Sequence, residues 1–232
     1  MSTKTCFLAL RLEGPLQSWG FDSQYNRRNS GLMPTKSAIA GICCAALGYP
    51  RGGEEEKRFL FSFASLRMTA IAIPRNVAKS GLLVRRLQDY HTVQNTRRAS
   101  GQINEECVLT RRQYLTDAAF GVLLEGNEAL LEIIASALAE PKWGIWLGRK
   151  SCIPSAPILA GMPDDKGVKE NRDDALRILL GDRPIESFTR QEDVENFESG
   201  RDSLPDSAAS FAIERRLYSP RRVRTLEANQ KE

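Results

Sequence analysis

Four runs of β-forming residues alternate with two capped helical stretches, and their order limits the fold more than any other feature of the sequence. Thr5 to Leu12 (TCFLALRL) is apolar and β-prone and reads as a strand. Thr35 stands at the start of a helical stretch in which Ile39, Ile42, Cys43, Ala46 and Leu47 recur at helical spacing, and Gly48 with Pro50 stops it. Leu66 to Ile73 gives a second strand and Tyr114 to Leu124 a third. Asn127 caps a second helix with the stripe Leu130, Leu131, Ile134 and Leu138, which Pro141 ends; Lys142 to Leu147 (KWGIWL) gives a fourth strand. The order β-α-β-β-α-β predicts an α+β chain with a ferredoxin-like, or RRM-like, core.

About 40 residues separate the second and third strands, far more than a hairpin loop needs. Within them Leu82 to Val93 and Cys107 to Tyr114 read as two arms, with Gln94 to Glu106 as a polar tip. The result is a long protruding β-hairpin over about 82–113. Residues 1–160 are expected to form the core domain. Residues 161–232 are expected to add an acidic segment and a basic C-terminal extension packed on it.

Charge is uneven along the chain. The net charge is +4, yet residues 162–206 hold 13 acids and 7 bases, so the remainder carries +10. A polyanion-binding face with an acidic segment turned elsewhere gives this pattern, and so does an ordinary solvated surface. The five cysteines are odd in number and show no C-x-x-C spacing, and the single histidine is His91. A zinc site is therefore not expected, and free thiols in a reducing cytoplasm are. No metal and no cofactor is expected. No apolar run approaches the roughly 20 residues that span a bilayer, and the N-terminus reads as a first strand rather than a signal peptide.

Basic residues collect where a strand or helix ends. The loop GPLQSWG (Gly14 to Gly20) lacks both phosphate-loop spacings, but its glycines permit close backbone approach and Trp19 offers a face to a base. A tight turn around a core tryptophan is the other reading. Arg27 and Arg28 precede the first helix. Lys36 in the first helical turn opposes the macrodipole, which a bound phosphate held by Thr35, Lys36 and Ser37 would reverse. Arg85, Arg86, Arg97, Arg98, Arg111 and Arg112 fall on the hairpin, with Tyr90 and His91 between the pairs, a pattern suited to backbone contact and stacking. Arg149 and Lys150 follow the fourth strand, and one of Trp143 and Trp146 is expected in the core. Arg215, Arg216, Arg221, Arg222 and Arg224 form a last basic group, read either as RNA-binding or as a flexible tail. No carboxylate pair has acid–base spacing, and the aromatic RNP motif of sheet-stacking RNA-recognition domains is missing.

Five segments in order resemble the CasD-type subunits of CRISPR Cascade complexes, of the repeat-associated RNA-binding superfamily. They are LRLEGPLQSWG, PTKSAIAGICCAALG, DYHTVQ, RQYLTDAAFGVLL and WLGRKSCIPSAP, with subtype I-E nearest. In the C-terminal part only RDSLPDSAASFAIERRLYSP resembles the family. The resemblance implies a ferredoxin-like core with a thumb, and a non-catalytic cytoplasmic subunit that binds the 5′ handle of the guide RNA. It also implies that the subunit caps the complex, that its partners are the backbone and large subunits, and that the assembly meets target DNA. The competing activity is a metal-independent endoribonuclease, because a sister subtype cuts RNA with tyrosine, lysine and histidine. Tyr90, His91 and Lys150 do not match that arrangement.

Overall fold

The structure is a computed structural model and describes residues 4–20, 22–74, 84–98, 100–162, 167–196, 198–200 and 202–228, with Gln24 as backbone only. In chain order the first half runs β1 (Thr5–Glu13), β2 (Leu16–Gln17), β3 (Ser23–Gln24), β4 (Arg27–Arg28), α1 (Lys36–Leu47), α2 (Glu54–Ala64), β5 (Arg67–Ala72), β6 (Arg85–Val93), β7 (Val108–Thr116) and β8 (Ala119–Asn127). Then come α3 (Glu128–Ala139), β9 (Val168–Lys169), α4 (Arg172–Leu180), a 3₁₀ turn at Ile185–Ser187, β10 (Arg190–Asp193), β11 (Asp202–Ser210) and β12 (Leu217–Leu226).

Period-two burial on both faces explains why the central strands read as nearly continuous apolar runs. Leu8, Leu10 and Leu12 of β1, Met68, Ala70 and Ala72 of β5, and Phe120, Val122 and Leu124 of β8 join one core with α1, α2 and α3. Ala9, Ile71 and Leu123, the residues between them, join a second core with α4 and Phe188. Each such leucine stabilises the fold by about 1.5–3 kcal/mol. The sheet order is β11-β12-β10-β5-β8-β1-β9, and every neighbouring pair is antiparallel. The chain is thus a mixed α+β protein with a wholly antiparallel main sheet.

The capping signals read from sequence act as expected. Thr35 Oγ1 accepts from Ala38 N, and Asn127 Oδ1 accepts from Leu130 N. Gly48 closes α1 at φ 74°, where a Cβ would also strike the Lys142 side chain.

Two strand readings change. Tyr114 to Leu124 is not one strand: Asp117, at φ 52°, turns the chain from β7 into β8, and its N–H donates to Pro15 O. β7 then belongs to a second sheet of order β2-β7-β4-β3, with β6 paired to the other side of β7. Lys142 to Leu147 is not a strand either. Its first two N–H groups donate to Ala46 O and Ala45 O at the C-terminal end of α1, carbonyls that a helix leaves unpaired. The place beside β1 goes instead to β9. Residues 82 and 83, the start of the expected hairpin arm, lie outside the described residues. From Arg85 to Val93 the arm pairs with Thr116 to Val108 in unbroken register.

Residues 161–206, weakly patterned in sequence, and Phe211 to Thr225, which read as regaining strand character, supply α4, β10, β11 and β12, and these three strands continue the main sheet from β5.

Candidate nucleic-acid interface

β7 brings together basic residues from distant parts of the chain. β4 pairs with it in parallel, Arg27 beside Arg111 and Arg28 beside Arg112, while β6 sets Tyr90 beside Arg111 and Asp89 beside Arg112. Residues directly opposite in a ladder share a face. One face therefore carries the row Arg27, Arg111, Tyr90, and the other the row Arg28, Arg112, Asp89. Arg27, Arg28, Arg111 and Tyr90 are exposed. Strands lie about 4.8 Å apart, so two pairs of arginines stand side by side. Like charges so placed repel, by about 0.2–1 kcal/mol per pair.

Arg149 joins the second row. Its Nη2 donates to Arg28 O at 2.7 Å, and its guanidinium lies 4.6 Å from the centre of the Tyr114 ring. Burial opposes ionisation of Tyr114. Hydrogen bonds from Arg149 and Ser151, the Arg149 charge and Arg112 outweigh it and hold the phenol below its ordinary value. Tyr114 was not singled out by sequence, since two of its partners, Arg149 and Ser151, are 35 or more residues away.

Further out on the hairpin Arg85, Arg86, Arg97 and Arg98 are exposed. Arg97 bridges to Ile103, and Arg98 donates to Asn104 Oδ1. His91 is half-buried opposite Thr110, and among the described residues its Nδ1 has no hydrogen-bond partner.

Two expected contacts are corrected by burial. Trp19 is fully buried and packs edge-on against Phe120, so it offers no face to a base. The core-tryptophan reading of that loop is the right one. Lys36 is 4% exposed and its ammonium is taken up inside the protein, by Ala64 O, Leu66 O and Asp193. The anion at the start of α1 is Asp206, whose Oδ2 accepts from Lys36 N. Thr35 is buried as the cap. Ser37, half-exposed, and Lys150, exposed, line a groove beside α1.

The last basic group is not a tail. Arg221 is buried and pairs with Asp193 and Asp206, and Arg224 pairs with Glu192, inside the sheet. Arg215 and Arg216 are exposed. Trp143 and Trp146 are both exposed, at 47% and 39%, so neither is the core residue expected of one of them. Among the described residues no cluster of His, Cys, Asp and Glu could hold a metal ion, and no helix is long and apolar enough to cross a membrane.

The fold and this surface define a mixed α+β protein with a wholly antiparallel main sheet and a basic strand face. A family model described as CRISPR-associated protein (Cas_Cas5) matches residues 7–224, and the chain belongs to that family. It is similar to the CRISPR system Cascade subunit CasD of Escherichia coli (strain K12), at 33% identity over 162 residues, which cover 67% of this chain and 70% of that protein. A chain of a CRISPR RNA-guided surveillance complex superposes with a TM-score of 0.72 at 28% identity, covering 96% of this chain and 90% of that one. A Cas protein known from a crystal structure superposes with a TM-score of 0.65 at 32% identity, covering 96% and 95%.

Proposed function

We propose that this chain is a non-catalytic subunit of a Cascade-type complex that holds the 5′ handle of the guide RNA along β4, β6 and β7. The observation that carries the reading is the pairing of Arg27 with Arg111 on the face that Tyr90 shares. Alone this pair weakens the sheet. A phosphate backbone laid across it turns the repulsion into two attractions. Tyr90, 60% exposed in the same row, offers a ring for an unpaired base. Likeness to a chain of an RNA-guided surveillance complex supports the same reading.

In this proposal β5, β8 and β1 with α1 and α3 are the ferredoxin-like core within residues 1–160, and β9, from beyond it, takes the fourth place beside β1. The β6–β7 hairpin is the thumb that reaches a backbone subunit and the guide. Residues 161–232 extend the core, the subunit caps one end of the complex, and the large subunit and target DNA meet it in the cytoplasmic assembly. Arg85, Arg86, Arg97, Arg98, Arg149 and Lys150 are contacts along the RNA path.

The test is to incubate the purified chain with labelled repeat RNA in EDTA. The expected result is a retained, uncut handle, unchanged in His91→Ala. Specific cleavage that the mutation abolishes would replace this reading with the endoribonuclease.

A further inference from the structure

A groove of about 610 Å³ runs along α1 beside the second arginine row: Gly148 and Lys150, which flank Arg149, and Ser18, which donates to Gln113 O on β7, are part of its lining. Its base includes the small residues Ala38, Gly41 and Ala45, at helical spacings of three and four. Aromatic rings from two distant segments line it. Trp143 and Trp146 come from the segment that follows α3, Phe211 comes from the turn after β11, and Tyr218 from the start of β12. Phe211 meets Tyr218 edge to face at 6.5 Å, and a Cβ on Gly41 would stand 3.9 Å from the Phe211 ring. Three of these rings, Trp143, Trp146 and Tyr218, keep 39–47% of their surface exposed, and all three line the one groove. Lys150, Arg51 and Arg216, all exposed, line the same groove.

Beneath it lies a carboxylate with spare capacity. Glu56 is fully buried. Its Oε2 accepts from Gly52 N at 2.9 Å and Phe211 N at 3.2 Å, which ties the Phe211 ring to α2. Among the described residues its Oε1 has no hydrogen-bond partner. Leaving such an oxygen unmatched in the interior is costly, and it gives the groove a negative floor under a positive rim.

From these features we infer that the groove takes one flipped-out nucleotide of single-stranded RNA. Its base stacks on the exposed indoles over α1, and its phosphate lies at Lys150 and Arg216. The negative floor favours a base edge that carries an amino group over uracil, whose only edge donor stands between two carbonyls. The inference rests on the RNA-binding reading above and deepens it: it assigns base reading to the groove beside the second arginine row, reached through Lys150.

The experiment measures the affinity of the purified chain for single-stranded handle RNA in which each position in turn is made abasic. In the parent chain one abasic position costs about tenfold in affinity, as the loss of one aromatic stack would. In Gly41→Leu, which fills the groove, and in Trp146→Ala, which removes a stacking face, the same abasic substitution costs less than about twofold, while melting temperatures certify folding. Uracil placed there binds the parent several-fold more weakly than adenine, and Glu56→Gln erases that difference. Equal losses at every position in parent and variants, with intact RNA still bound, would overturn this inference alone. Failure of intact RNA to bind the parent would overturn the reading beneath it. Groove variants that keep their RNA profile but lose a copurifying subunit would make the groove a protein-docking site and refute the nucleotide.

Discussion

Asp206 Oδ2 accepts the backbone N–H of Lys36 at 2.9 Å, so a carboxylate from β11 occupies the place where an external anion would sit on α1. The same carboxylate holds Arg221, which also pairs with Asp193, and Asp193 in turn binds the Lys36 ammonium at 3.0 Å. Four charges, two of each sign, thus close a buried ring that joins α1, β10, β11 and β12.

Breaking that ring leaves a buried charge without compensation. Asp206→Ala and Lys36→Ala are each expected to cost about 3–5 kcal/mol of stability, measured by urea unfolding of the isolated chain. RNA affinity of the fraction that remains folded should stay within about twofold of the parent. A Lys36→Ala protein of normal stability that loses RNA would return Lys36 to the binding surface.

The arginine rows predict a different signature. Arg27→Ala, Arg111→Ala and Arg149→Ala should each weaken handle RNA irrespective of its sequence. Removing one phosphate-binding cation should flatten the slope of log affinity against log salt by about 0.7. Binding isotherms at four salt concentrations check this, and unchanged slopes in all three variants would move the RNA elsewhere.

Replacing residues 94–106 with a short Gly-Ser turn removes the bridge between Arg97 and Ile103 but no rung of the β6–β7 ladder, which ends at Val93 and Val108. Stability should change by less than about 1 kcal/mol, a shift of about 2–4 °C or less in melting temperature. Joining the complex, scored by copurification with neighbouring subunits, should fail. Normal assembly would remove the hairpin's role as a thumb.

Thiol chemistry reports on the core. Cys107 is exposed, whereas Cys6, Cys43, Cys44 and Cys152 are buried. Burial, with the nearby Glu56 charge, pushes the Cys44 thiol up to about 12. Iodoacetamide at pH 8 should modify Cys107 alone in the native chain and all five in denaturant, as read by mass spectrometry. Rapid native labelling of Cys44 would contradict the packing of α1.

What the sequence made legible was local. Thr35 and Asn127 cap the helices they were expected to cap, because capping involves residues three apart. The β6 arm was readable because about 40 residues separate the flanking strands, far more than a hairpin loop needs. KWGIWL misled because its composition suits a strand, while its first N–H groups go to α1. Lys36 misled because its partners, Asp193 and Asp206, lie more than 150 residues away in a stretch that looked uniformly acidic. The arginine rows needed the parallel pairing of β4 with β7, which no spacing announces.

The turn at Asp117 has a mechanical consequence. β7 and β8 are one continuous length of chain, and the Gln17 side chain clamps their junction by donating to both Leu12 O and Ala118 O. The hairpin is therefore a cantilever built into the middle of the main sheet rather than a flap hung from its edge. A load applied near Val93 and Val108 passes straight down β7 to the rigid β8, so a neighbour that grips the arm also sets the orientation of the whole body behind it.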